Sequence, residues 1–331
     1  MDIAGAAAAL VDGGCPGAVV AVRTETLDAA AVGTADIASS EPMTVEHRFR
    51  IGSTTKTYVA TLALLLAGEG ALDLDERGVV PADPRITLRH LLSHRSGLAD
   101  YMDGEGIAAA RLADPLRRAH PRRDVAEAMA MPRVFEPGEG VAYSNTNYQA
   151  AGAVIEDVAG APLHELVRSR LLEPLGLART MFALEGRIED GLCSGYAFTD
   201  GWYPVPDDLH AVTAHLDGAH GDGAIVSDAA DVTAFFAALL GGRILPPAAL
   251  EEMTSGPESE RGSTVGLGIV GAPRPNGRRW WGHGGDMPGH TLTVRASRDG
   301  SVIVTALVNA QGTAVAELLS RVADELCEPL L

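Results

Sequence analysis

The chain has 331 residues, 46% of them hydrophobic and 21% charged, an ordinary globular composition with enough length for one large domain or two lobes. Its net charge of −18 opposes nucleic acid and anionic membranes as partners, because either contact would begin with like-charge repulsion. Cys15, Cys193 and Cys327 are scattered and show no C-x-x-C spacing, so neither a disulfide framework nor a zinc cage is indicated and reduced thiols are expected.

The opening MDIAGAAAALVDGGC has no basic n-region and meets a charge at Asp12, which reads as a short helix and not as a signal peptide. No apolar run reaches the ~18 residues that a membrane span requires. A cytoplasmic protein is therefore the expectation. Residues 16–35 alternate valine with small residues between Pro-Gly and Gly, predicting two strands in a hairpin.

Residues 49–67, FRIGSTTKTYVATLALLLA, are the most informative stretch. Gly52 breaks an extended run, and Ser53 then falls where a helix should begin, with first-turn amides free to meet an anion. The i, i+3 spacing puts Lys56 on the same face one turn later, where a desolvated amine can take the hydroxyl proton. A Ser-x-x-Lys pair is common by chance, and its plain structural alternative is a helix cap beside a neutralised core lysine. Here Lys56 is the only lysine among 26 basic residues, so the one titratable amine lies three residues after a serine.

The Pro-rich link at Pro81 and Pro84 ends one compact unit and starts another. Residues 86–98 predict a short amphipathic helix with Thr87 as N-cap and Gly97 near its end. His90 and His94 stand i, i+4 on it, but without an HExxH glutamate they read as packing or surface histidines. Residues 103–130 are compatible with helix. In residues 135–160 a Pro-Gly turn delivers Tyr143-Ser144-Asn145 just before a helix that ends at Gly160. Such a loop either presents a phenol as proton shuttle and an amide as clamp, or merely caps the helix with Asn145 and packs Tyr143.

Aromatic alternation about Asp200-Gly201 predicts a hairpin whose Phe198, Trp202 and Tyr203 either wall a pocket or simply pack. His210, His215 and His220 recur every fifth residue, a period that suits neither a helix face nor a strand face for metal binding. Residues 227–242 predict a helix with Ser227 as N-cap. Residues 278–297 and 301–310 read as strands before a final helix over 313–327. The glycines of residues 282–289 mark close approach by another backbone or a ligand, so this edge is expected to line a site that His283 would contact.

Ser53-x-x-Lys56, Tyr143-x-Asn145 and His283-x-Gly285, in this order, resemble the three motifs of the serine β-lactamase and DD-peptidase superfamily. The Tyr-x-Asn form is similar to that of class C β-lactamases, DD-carboxypeptidases and related esterases. The resemblance implies acyl transfer through acyl-Ser53, with Lys56 and Tyr143 sharing the proton traffic. The Ser53 and Asp286 amides would form the oxyanion hole, and Asn145, His283 and Gly285 would contact substrate. It implies an α/β fold of the α+β type, an antiparallel sheet flanked by helices plus a mostly helical lobe. Residues 1–80 and 225–331 would form the sheet lobe and 81–224 the helical lobe of a single domain. No cofactor or metal is implied.

His283 stands where β-lactamases carry lysine, and Gly284 replaces a hydroxyl residue, so a fixed cation for a substrate carboxylate is missing. An intracellular esterase or amidase acting on a small carboxylic ester or amide is expected. The alternatives are a transacylase delivering the acyl group to an amine, a β-lactamase or DD-peptidase, and a catalytically silent scaffold or ligand sensor.

Overall fold

The computed structural model describes residues 2–81, 83–106, 121–183, 191–197, 210–211, 220–274 and 277–330. Its frame is an antiparallel sheet in which the two ends of the chain meet. In spatial order the strands are Glu41–Pro42, Leu27–Asp36, Gly17–Arg23, Ile303–Val308, His290–Ala296, Arg279–Gly282, Val270–Pro273 and Thr264–Val265, and Gly284–Met287 also pairs with His290–Ala296. The expected hairpin is present, with Val20 opposite Ala30. Gly17–Arg23 also pairs with Ile303–Val308, Ala21 opposite Thr305.

The composition of these central strands follows from burial on both faces. Val19 and Ala21 point into the larger core, whereas Ala18, Val20 and Val22 point into a smaller one. The smaller core is closed by the terminal helices Ile3–Asp12 and Thr313–Cys327, which supply Ala6, Ala7 and Leu10, and Val315, Leu319, Val322 and Leu326. The helix Ala229–Leu240 covers the opposite face through Phe235, Phe236 and Leu239. Its N-cap is Asp228, whose side chain accepts from the Asp231 amide, and not Ser227 as expected. Ser227 instead ends a strand, where its hydroxyl pairs with that of Thr180 at 2.7 Å.

The helix Thr55–Gly68 is buried nearly all round and packs against Asn145–Ala159, Leu163–Val167 and Pro247–Met253. That accounts for its uncharged sequence after Lys56. The helix expected over 86–98 is shorter, Leu88–Leu92, and its Thr87 cap forms a reciprocal pair with His90. The chain then turns irregular: His94 takes a positive φ of 55°, and Gly97 lies so close to Phe135 that a Cβ would stand 1.8 Å from its carbonyl oxygen. This kink turns His94 inward.

Within the stretch 103–130, Pro121–Ala130 is helical and 107–120 lies outside the described residues. The Asp200-Gly201 turn with Phe198, Trp202 and Tyr203, and His215, also lie outside them, as does the side chain of His210. Among the described residues all three cysteines are free and buried, no His/Cys/Asp/Glu group could hold a metal, and no helix is long and apolar enough to cross a membrane.

Candidate active site

Ser53 sits in a single 3-10 turn, Gly52–Thr54, that leads into the helix Thr55–Gly68. Gly52 has a φ of 48°, and a Cβ there would lie 2.6 Å from the Asp286 carbonyl oxygen and 2.8 Å from its amide nitrogen. Gly285 answers from the other side: a Cβ on it would stand 1.9 Å from the Ile51 carbonyl oxygen. Two side-chain-free positions thus let the strand Gly284–Met287 lie against the serine turn, which is the close backbone approach that a glycine-rich strand signals.

Lys56 is fully buried, and its Nζ donates to Ser53 Oγ at 3.0 Å, to Asn145 Oδ1 at 2.8 Å and to the Asp222 carbonyl oxygen at 2.8 Å. Those three acceptors match the three hydrogens of an ammonium. The Tyr143 hydroxyl donates to Ser53 Oγ at 2.6 Å, and the Lys56 Nζ lies 5.0 Å from the Tyr143 ring centroid. Ser53 Oγ therefore accepts from both groups. Tyr143 is 51% exposed, so its ring stands at the edge of the cleft.

Asn145 begins the helix Asn145–Ala159, and its role is larger than a cap. Its backbone and side-chain N–H groups both donate to Asp100 Oδ2, at 3.0 and 2.9 Å, which turns Oδ1 toward Lys56. Burial raises the Asp100 carboxyl above its usual range, an effect that the bond from the Asn145 amide opposes. Asp222 is anchored by the Tyr101 hydroxyl at 2.8 Å and Gln149 Nε2 at 2.9 Å, and so holds its carbonyl under Lys56.

His94 forms the floor beneath Tyr143, with ring centroids 4.4 Å apart. Its Nδ1 accepts from the Ser144 amide at 3.2 Å, which puts the proton of the neutral ring on Nε2. Burial, then Lys56 and His283, holds its pKa well below the ordinary value. His283 is also neutral at pH 7, with a pKa lowered to about 4 by burial and then by Lys56. Its Nδ1 donates to the Gly284 carbonyl at 2.5 Å, leaving Nε2 as an acceptor.

A cavity of about 660 Å³ opens over these groups, lined by Ser53, Tyr143, Asn145, His283, Gly285 and Asp286 together with Asp100 and Asp222. Ser53, Tyr143, Asn145, His283, Gly285 and Asp286 are thus brought to one place, with Lys56 immediately beneath the wall. Asp100, Asp222 and His94 have no motif that marks them. Asp222 stands out in sequence only as a neighbour of spaced histidines, and His94 only as half of an i, i+4 pair.

The family model described as Beta-lactamase matches residues 3–327. Penicillin-binding protein 4* of Bacillus subtilis is 28% identical over 80% of this chain and 61% of its own length, and esterase EstB of Burkholderia gladioli is 33% identical over 48% of this chain and 45% of its own. The chain spans about three-fifths or less of the length of these curated relatives. Solved structures match it end to end. A D-stereospecific amidohydrolase from Streptomyces sp. superposes with a TM-score of 0.84 at 32% identity, covering 96% of this chain and 98% of that one. The D-amino acid amidase of Ochrobactrum anthropi SV3 superposes at 0.85 with 27% identity, covering 99% and 98%. With a family match over nearly its whole length and the serine turn, buried lysine and glycine-rich strand assembled as described, the chain belongs to the Beta-lactamase family.

Proposed function

We propose that the protein is a serine acyl-transfer hydrolase that forms an acyl-Ser53 intermediate and acts on small carboxylic esters or amides. The observation that carries this reading is Ser53 Oγ bonded at once to Lys56 Nζ and the Tyr143 hydroxyl at the cavity floor. Ser53 Oγ attacks the substrate carbonyl carbon as its proton passes into the Lys56–Tyr143 pair, one of which must be in its base form. The carbonyl oxygen gains the negative charge, which the Ser53 and Asp286 amides stabilise. Collapse breaks the bond to the leaving alcohol or amine, which takes the proton back through Tyr143. A water then repeats the sequence and releases the acid.

The named relatives and neighbours include an esterase and amidases, which supports hydrolysis of an ester or amide. A neutral His283 next to Gly284 offers no fixed cation to a substrate carboxylate. The proposal is tested with a fluorophosphonate probe and intact-mass measurement: one adduct is expected, mapping to Ser53 and absent in Ser53→Ala. Labelling that persists in Ser53→Ala, or no labelling of the unaltered protein, would sink it. A panel of esters and amides, run with and without added amines, then reads whether water or an amine is the acceptor.

A further inference from the structure

The charged groups around the cavity are nearly all engaged by the protein itself. Lys56 fills its three bonds as described. Asp100 takes the two Asn145 donors on Oδ2 and the Met102 amide on Oδ1 at 3.0 Å. Asp222 is bonded on both oxygens, by Tyr101 on one and by Gln149 and the His220 amide on the other. Arg295 pairs with Asp324 at 3.0 Å and donates to Thr293 and Ser320.

Asp286 differs. Its Oδ1 accepts from the Thr291 hydroxyl at 2.9 Å, but that hydroxyl also faces the Ala310 carbonyl at 2.9 Å and has one proton to divide between them. Among the described residues its Oδ2 has no partner, and the side chain lines the cavity. The same residue's backbone nitrogen faces Gly52 on the serine turn. A carbonyl held by that nitrogen therefore has a carboxylate three bonds further along the same residue.

We propose that Asp286 is the counter-ion for an ammonium group borne on the carbon next to the scissile carbonyl, so that the acyl donors are amino-acid amides or esters with a free amine. This rests on the acyl-Ser53 reading. A carboxylate so placed attracts a cation through a charge-assisted hydrogen bond and repels an acyl group carrying its own carboxylate. The titratable and charged groups that line the same cavity are Tyr143, Asp100 and Asp222 from the loops, His283 just before its own strand and Arg295 on the neighbouring strand. The cavity walls push the Asp286 carboxyl up to about 6, with Thr291 opposing, so recognition weakens on acidification through that pH.

The test compares each enantiomer of phenylalaninamide with 3-phenylpropionamide, which differs only by the amine, near neutral pH where that amine is still partly protonated. One phenylalaninamide enantiomer is expected to exceed the des-amino amide in kcat/KM by about tenfold or more, mostly through KM. That preference should fall away as the pH drops through about 6, a limb absent for 3-phenylpropionamide. Asp286→Asn keeps the backbone amide and the side-chain shape and should bring the ratio of the two donors close to one. An unaltered protein that prefers the des-amino amide, or an Asp286→Asn variant that slows both donors equally, overturns the proposal. Should Asp286→Asn fail to fold in a thermal melt, the unaltered protein's preference and its acid limb decide alone. Fluorophosphonate labelling of Ser53 is run in parallel: labelling without an ammonium preference removes only this inference, whereas no labelling removes the acyl-Ser53 reading itself.

Discussion

Lys56 reaches Ser53, Asn145 and the Asp222 carbonyl from full burial, so its amine is held by dipoles and not by a carboxylate in direct contact. Arginine at this position would keep a charge but could neither release a proton near neutral pH nor fit its planar fork among three converging acceptors. Lys56→Arg is therefore expected to lose at least about a hundredfold in kcat, as much as Lys56→Ala, within the 10²–10⁴-fold range of general acid–base groups. Steady-state ester hydrolysis reads it, and retention of most activity by Lys56→Arg would reduce Lys56 to a fixed charge. Tyr143→Phe removes the 2.6 Å bond to Ser53 while leaving the ring on His94, so kcat should fall with KM little changed. Asn145→Ala removes the amide between Lys56 and Asp100 and should raise KM along with lowering kcat. Equal and negligible effects of the two would return this loop to a structural role.

At the scale of elements, the site depends on how closely the strand Gly284–Met287 lies on the serine turn. Gly285→Ala puts a methyl 1.9 Å from the Ile51 carbonyl oxygen, a backbone atom that cannot swing aside, so the strand must shift by an appreciable fraction of an ångström. A displacement of about 1 Å at a reacting centre can cost 10²-fold in rate, and kcat is expected to drop at least about tenfold with unchanged far-UV circular dichroism. Gly284→Ala meets only the Leu292 carbonyl at 3.7 Å and should cost far less, which makes the pair a control for general damage to the strand. The same elements show what the sequence makes legible. Alternating valines mark Gly17–Arg23, and an uncharged run marks Thr55–Gly68, because burial selects composition directly. Ser53, Lys56, Tyr143, Asn145 and His283 can be read because each falls in a short motif of recognisable residue types, although Tyr143 and Asn145 meet Ser53 and Lys56 only across 90 and 89 residues. Asp100, Asp222 and His94 cannot: they reach the site from loops whose positions depend on tertiary contacts such as Asp100 to Asn145, 45 residues apart. Asn309, fully buried, is equally silent in sequence, although it bonds the Gly17 amide at 2.7 Å and the Ser194 carbonyl at 3.1 Å across the central sheet.

Over the whole molecule the net charge of −18 acts on encounter, and the neutral His283 and open Asp286 act on docking, both against anionic substrates. Uncharged short-chain esters are expected to show a higher kcat/KM than cephalosporins or D-Ala-D-Ala peptides, with added salt narrowing the gap by screening the long-range part. Faster hydrolysis of a chromogenic cephalosporin than of simple esters would contradict this.

The buried histidines set a second property of the whole molecule, its tolerance of acid. His94 and His290 are 5% and 1% exposed, and each is held neutral in the fold by burial, His290 with a pKa lowered to about 3. In the unfolded chain both titrate near the ordinary value of about 6.5. The sign follows from proton counting: below that pH the unfolded state binds protons that the folded state refuses, so stability is complete above about 6.5 and is lost progressively as the pH falls toward the folded values. By pH 5 each histidine withdraws up to about 2 kcal/mol. Asp100 and Asp286 pull the other way, since their raised folded pKa values let the native state bind protons first. Asp286 opens to the cavity and is screened there, so its offset is the smaller. The net expectation is a melting temperature several degrees lower at pH 5 than at pH 7.5, at constant ionic strength. His290→Gln should flatten part of that slope, because its side chain has no imidazole to protonate in the unfolded chain. A melting temperature that holds steady or rises between pH 7.5 and pH 5 would mean that these two rings accept protons in the folded protein after all.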